Sequence, residues 1–214
     1  MKKIILFVLL SIFLTGCTNI NNSTYYEIIE QAINSDTKIF NTYRTGYKFY
    51  LPHGLYVSSF KNNNESLKTN DNVYYMHVDL IGYLNKKQDE YQINPQSIYS
   101  NTFNHNELNG YIEINPRNDK YFVEIMYNYA KIEVMVEENS LKKAVADMVI
   151  ILSSIEYNDE MLRRLESENL LNYSEVSIDI FKKTSNNDNS NFLKYVEEFD
   201  NKDDNSIPDY DLIN

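Results

Sequence analysis

Ala130-Lys131-Ile132-Glu133-Val134-Met135-Val136-Glu137 is followed closely by Leu141-Lys142-Lys143-Ala144-Val145-Ala146-Asp147-Met148-Val149-Ile150-Ile151-Leu152. In the first stretch Ile132, Val134 and Val136 alternate with Lys131, Glu133, Met135 and Glu137. That period of two predicts a strand with one dry side and one largely wet side. In the second, Leu141, Val145, Met148, Val149 and Leu152 fall at helical spacing, and Asn139 or Ser140 can cap the helix. Burying such a stripe stabilises by roughly 1.5–3 kcal/mol per large side chain. The helix is therefore expected on the apolar side of a sheet, which makes the fold class α+β.

Upstream, more strands are expected. Val73 to Leu84 reads as the longest, with Tyr74, Met76, Val78 and Leu80 on the core side and Val73, Tyr75, His77, Asp79 and Ile81 on the other. Leu108 to Asn115 and Lys120 to Asn128 flank a turn at Asn115 to Asp119. Tyr47 to Leu51 runs into Pro52, which ends it, and Leu55 to Phe60 reads as its hairpin partner across Pro52-His53-Gly54. Lys61 to Asn72 reads as a polar loop. Pro95 interrupts Lys86 to Asn106, where a short helix would fit. Thr24-Tyr25-Tyr26-Glu27 has capping-box form ahead of a helix from Tyr25 to Asn34. The expectation is an antiparallel sheet of about six strands packed with helices.

The C-terminal part differs. Asp159 to Leu171 reads as a charged surface helix, and Val176, Ile178 and Ile180 alternate as in a short strand. Thr184 to Asn214 carries eight acidic residues against two lysines and is expected to be an acidic, largely disordered tail. Within it Phe192, Tyr195, Val196 and Phe199 are spaced i, i+3, i+4, i+7, a candidate partner-binding face. The same face would also suit packing on the chain's own domain.

At the other end, Met1-Lys2-Lys3 is a positive region. Ile4 to Leu14 is apolar except for Ser11 and too short to span a bilayer. Leu14-Thr15-Gly16-Cys17 follows, holding the only cysteine of the chain. This segment resembles the lipobox of bacterial lipoproteins. The resemblance implies that residues 1–16 are a signal peptide and that Cys17 is the lipidation site, thioether-linked to diacylglycerol. It also implies anchoring at the extracytoplasmic face of the cell membrane. Residues 17–23 would then be a lipidated tether reaching roughly 20 Å when extended. The expected organisation continues with an α+β domain at 24–156, a helix and strand extension at 157–183 and the tail at 184–214.

The formal net charge is −11. Without Lys2 and Lys3, 18 basic residues face 31 acidic ones, a net of −13. An acidic chain is repelled by phosphate backbones, so nucleic acid is not an expected partner. No polybasic patch supports membrane attachment, which is left to the lipid. With Cys17 acylated no thiol remains for a disulfide or for cysteine catalysis.

No reading of the residues assembles a catalytic centre. No serine stands in a Gly-x-Ser-x-Gly elbow, and five scattered glycines form no phosphate-cradling loop. His53, His77 and His105 lie in different segments. His77 and Asp79 share a strand side, and a solvated pair fits them better than a metal site, which needs further ligands. Neither a cofactor nor a metal is expected, and the chain does not read as an enzyme. The 19 tyrosines fit half-buried strand positions in a chain of AT-rich coding. A tyrosine-lined surface for sugars or peptides is the alternative.

From Tyr47 to Ser154 the element order also resembles the PsbP-like fold of many small bacterial lipoproteins. Tyr47, Phe49 and Pro52 at its start and Ile151-Leu152-Ser153-Ser154 at its end carry the resemblance. Leu55-Tyr56 stands where that family often has a tryptophan. The resemblance implies an antiparallel sheet sandwiched by helices and a role as adaptor or assembly factor. Two functions follow as expectations: a non-enzymatic protein-binding adaptor, or a lipoprotein that binds a small molecule or glycan.

Overall fold

The computed structural model describes residues 20–35, 39–88 and 90–171. The described residues form an α+β structure. After a 3-10 turn at Ile20–Asn22, helix α1 (Tyr25–Ile33) begins on the expected capping box. The Thr24 hydroxyl accepts from the amide of Glu27 at 3.2 Å, and the Glu27 carboxylate accepts from the amide of Thr24 at 2.8 Å. Ile28, Ile29, Ala32 and Ile33 face inward.

Ten strands follow: β1 (Thr42–Arg44), β2 (Tyr47–Phe49), β3 (Tyr56–Lys61), β4 (Asn64–Lys68), β5 (Val73–Val78), β6 (Tyr99–His105), β7 (Leu108–Arg117), β8 (Lys120–Tyr127), β9 (Ala130–Val136) and β10 (Glu156–Tyr157). Helix α2 (Leu80–Asn85) follows β5, α3 (Leu141–Ser154) follows β9 after a 3-10 turn, and α4 (Asp159–Ser167) follows β10. The large sheet has seven antiparallel strands in the order β3-β4-β5-β9-β8-β7-β6, and a small sheet has the order β1-β2-β10.

Register separates the two sides of the large sheet. Leu67, Tyr74, Val134, Val123 and Ile114 form one cross-strand row, and Met76, Ile132, Ile125 and Ile112 the next. Helix α3 lies on this apolar side across β8 and β9, and α1 packs against α3. Leu141, Val145, Met148, Val149 and Leu152 are all buried, as their spacing requires. Ser140 stands at the N-cap but makes no side-chain capping bond, because a 3-10 turn already leads the chain into the helix.

Three expectations are corrected. The hairpin partner of Tyr47–Phe49 is Thr42–Arg44, because Gly46 (φ +98°) supplies the tight turn between them. Tyr56–Lys61 pairs instead with Asn64–Lys68, inside the stretch expected to be loop. Its turn uses Asn62 and Asn63, both with positive φ. Glu65 enters the core there because Arg44 Nη2 lies 2.8 Å from its Oε2 and Tyr47 Oη 3.0 Å from its Oε1. The strand from Val73 stops at Val78, since the Asp79 carboxylate accepts from the Gly82 amide and starts α2. Strand β6 occupies part of the stretch from Lys86 to Asn106, which the sequence left ambiguous and where a short helix would have fitted.

Candidate functional site

The end of the large sheet where β5 passes into α2 gathers three connections. The β6–β7 turn is made by Asn106 and Glu107, and the β8–β9 turn by Asn128 and Tyr129, all four with φ between 49° and 66°. Two left-handed residues in succession are what a two-residue hairpin of type I′ demands, and glycine usually takes the second place. Here Glu107 and Tyr129 take it, a strained backbone arrangement for residues with a Cβ.

Between these turns, α2, Gln88, Glu90 and Tyr91 lies a cavity of about 1130 Å³. Tyr83, Tyr91, Tyr111 and Tyr129 line it, with Gln88, Asn104, Asn106, Asn109 and Asn128 as amide groups and Lys86, Glu90 and Glu107 as charges. Gly110 and Phe103 close its wall. A side chain at Gly110 would collide with the Phe103 ring and with the Met126 carbonyl, so only glycine fits.

The tyrosines are fixed from behind. Tyr91 stacks on Tyr111 at 4.0 Å and 6°. Its hydroxyl donates to Glu113 and lies 2.8 Å from Ser100 Oγ. Tyr111 donates to Glu124 at 2.7 Å. Tyr83 stacks on Tyr157 at 3.8 Å, stands edge-on to Tyr129 and donates to Asp159 at 2.5 Å. The Lys86 ammonium lies 3.7 Å above the Tyr83 ring.

Burial, then the bond to a carboxylate, pushes Tyr83 and Tyr91 up to about 12. Burial also raises Tyr111 and Tyr129. All four phenols are therefore neutral in ordinary conditions. The described lining offers ring faces, amides and charged groups. Gln88 accepts from the Asn109 amide at 3.0 Å through Oε1. Among the described residues its Nε2 is buried without an acceptor, an arrangement that costs on the order of 1–3 kcal/mol.

Behind the cavity, the polar side of the sheet carries Glu113, Glu124 and Glu133 directly opposite one another on β7, β8 and β9. Lys131 Nζ lies 2.7 Å from Glu133 and 3.9 Å from Glu124. Asn94 and Asn115 donate to Glu113 at 2.9 and 2.8 Å. These carboxylates anchor Tyr91 and Tyr111 from below. No group of three or more His, Cys, Asp or Glu residues suited to a metal ion occurs among the described residues.

Cys17, Phe192, Tyr195, Val196 and Phe199 lie outside the described residues. The same holds for the strand expected at Val176 to Ile180. His77 is half-buried, with Nδ1 3.0 Å from Asn64 Oδ1, and burial lowers its pKa. Asp79 caps α2 and does not share a strand side with it. The cavity was not foreseen residue by residue, because its tyrosines come from four separate elements. The asparagine-led turns were the available signal. Among the described residues no helix is long and apolar enough to cross a membrane. No protein-family model and no curated protein matches the chain.

Proposed function

We propose that this chain is a lipid-anchored extracytoplasmic protein, held by acylated Cys17, that binds a small polar ligand in the tyrosine-lined cavity. The cavity carries the reading. It is slightly larger than an ordinary small-molecule site, and its four tyrosine rings stand beside amide and charged groups, a lining that suits a polar ligand better than an apolar one. Neutral phenols held by Glu113, Glu124 and Asp159 are preorganised, so a ligand does not have to order them. The Lys-Lys, apolar run and Leu-Thr-Gly-Cys order supports the anchoring.

A second reading, the protein-binding adaptor, is supported by a different place. Strand β3 ends the large sheet and exposes Tyr56 (53%) and Phe60 (42%), features that suit an added strand from a protein partner. The amphipathic set Phe192, Tyr195, Val196 and Phe199 would serve the same reading from the sequence.

The test is a thermal-shift screen of the full chain against polar small molecules and short glycans, with Thr102→Trp as control. Thr102 is exposed and lines the cavity, so an indole there obstructs its part of the cavity without entering the core. A ligand at a hundred times its Kd stabilises by about 2.7 kcal/mol. Shifts that vanish in Thr102→Trp are expected, and shifts that survive it would move the ligand away from the Thr102 side of the cavity. Fractionation of Cys17→Ser addresses the anchor: the variant should leave the membrane.

A further inference from the structure

We infer, resting on the acylation of Cys17 proposed above, that the end of the domain built by Ile20, Tyr26 and Ile98 sits against the lipid bilayer, with the cavity at the opposite end. Cys17 precedes Ile20 by three residues, which span at most about 10 Å when extended. Ile20 is not a free link in a tether. It is partly buried against the core, and its carbonyl accepts from the Ser23 amide at 3.2 Å. Lys142 Nζ, in the first turn of α3, donates to the neighbouring Asn21 carbonyl at 2.6 Å. The 3-10 turn is thereby held to the start of α3. Acyl chains on Cys17 bring that point of the domain to the headgroup layer.

The strands fix what else lies there. Strand β9 runs from Ala130, beside the Asn128-Tyr129 turn at the cavity, to Val136, after which a 3-10 turn leads into α3. The steps from 130 to 136, at about 3.3 Å each, put roughly 20 Å between the two ends. Strand β6 runs the other way: it starts at Tyr99 and reaches the Asn106-Glu107 turn after His105. The Tyr25 ring packs on the Tyr99 ring at 5.0 Å, so α1 also starts at the end away from the cavity. Tyr26 and Ile98, next in sequence to this ring pair, are 52% and 55% exposed. Beside a lipid anchor they meet the bilayer interface, where tyrosine is favoured and an apolar side chain gains contact. Lying flat would gain nothing from charge, because a chain of net charge −11 is repelled by anionic headgroups.

The experiment exploits the lack of tryptophan in the chain. The full chain, purified with its lipid, is reconstituted into vesicles of phosphatidylcholine and phosphatidylglycerol, with and without brominated phosphatidylcholine, a contact quencher of indoles. Tyr26→Trp, Ile98→Trp and Asn104→Trp each place a single indole at an exposed position. Asn104 lies near the β6–β7 turn and lines the cavity. Loss of emission is expected at one or both of the first two positions and not at the third. Quenching of Asn104→Trp, or of neither Tyr26→Trp nor Ile98→Trp, overturns the inference. The anchor still stands if flotation with the vesicles is lost in Cys17→Ser. Flotation that survives Cys17→Ser, or that the wild type lacks, removes the anchor and the inference with it.

Discussion

The two sides of the large sheet use the same strands in opposite ways. On one side Leu67, Tyr74, Val134, Val123 and Ile114 run across five strands beneath α3. On the other, Glu133, Glu124 and Glu113 stand in a row, flanked by Lys131, Met126 and Tyr111 in the next. Like charges directly opposite on neighbouring strands are destabilising. The polar row persists because each carboxylate has a donor: Lys131 for Glu133, Tyr111 for Glu124, and Tyr91, Asn94 and Asn115 for Glu113. The apolar side supplies stability by excluding water. The polar side spends stability to hold Tyr91 and Tyr111 rigid at the cavity.

The largest expected effect breaks the apolar side. Val149 is fully buried on α3, and Val149→Asp places an unpaired charge there. A loss of about 4 kcal/mol in denaturant unfolding is expected. An unchanged midpoint would put that helix surface in water and remove the two-layer architecture. A smaller effect breaks the polar side. Lys131→Met removes the cation between Glu133 and Glu124 while keeping an apolar stem. A loss of about 2 kcal/mol is expected, with part of it recovered when Glu124→Gln is added, a coupling that a double-mutant cycle reads directly. Additive effects would mean that the two carboxylates do not depend on Lys131 in common.

The apolar side was legible in the sequence and the polar side was not, for a physical reason. Val145, Met148 and Val149, like Ile132, Val134 and Val136, declare themselves by period, because an unbroken apolar row needs no partner to be recognised. Glu65 and Ser66 are buried in β4, yet they read as loop, since what admits Glu65 to the core is Arg44 and Tyr47 about twenty residues away. Asp79 looked like a strand residue because apolar residues continue on both sides of it; its capping bond to Gly82 is the event that turns strand into helix. The cavity is a product of topology. Tyr83, Tyr91, Tyr111 and Tyr129 meet only once β6–β7 and β8–β9 have turned on paired left-handed residues. Only Tyr83 and Tyr91 share a short sequence window; Tyr111 and Tyr129 come from β7 and the β8–β9 turn.

The smallest expected effect concerns a carboxylate on the wrong side of this division. Asp147 is buried on α3, with Lys143 Nζ 2.6 Å from its Oδ2. Burial raises its pKa above the ordinary 3.8, and the Lys143 bond only partly offsets this. Between 3.8 and the raised folded value, the folded state therefore holds more protons than the unfolded one. Stability from this group is greatest at low pH and falls as pH rises through that window. Above it, the charged carboxylate is a constant cost. Asp147→Asn keeps the shape and removes the charge, while the exposed Lys143 stays solvated. The unfolding free energy at pH 7 should rise by about 1 kcal/mol, and its fall with rising pH should become shallower. It should not vanish, because burial raises Glu65 in the same direction. If the pH 7 value falls instead, the Lys143 pair outweighs the cost of burial, and the helix-covered side tolerates an ion pair as a source of stability.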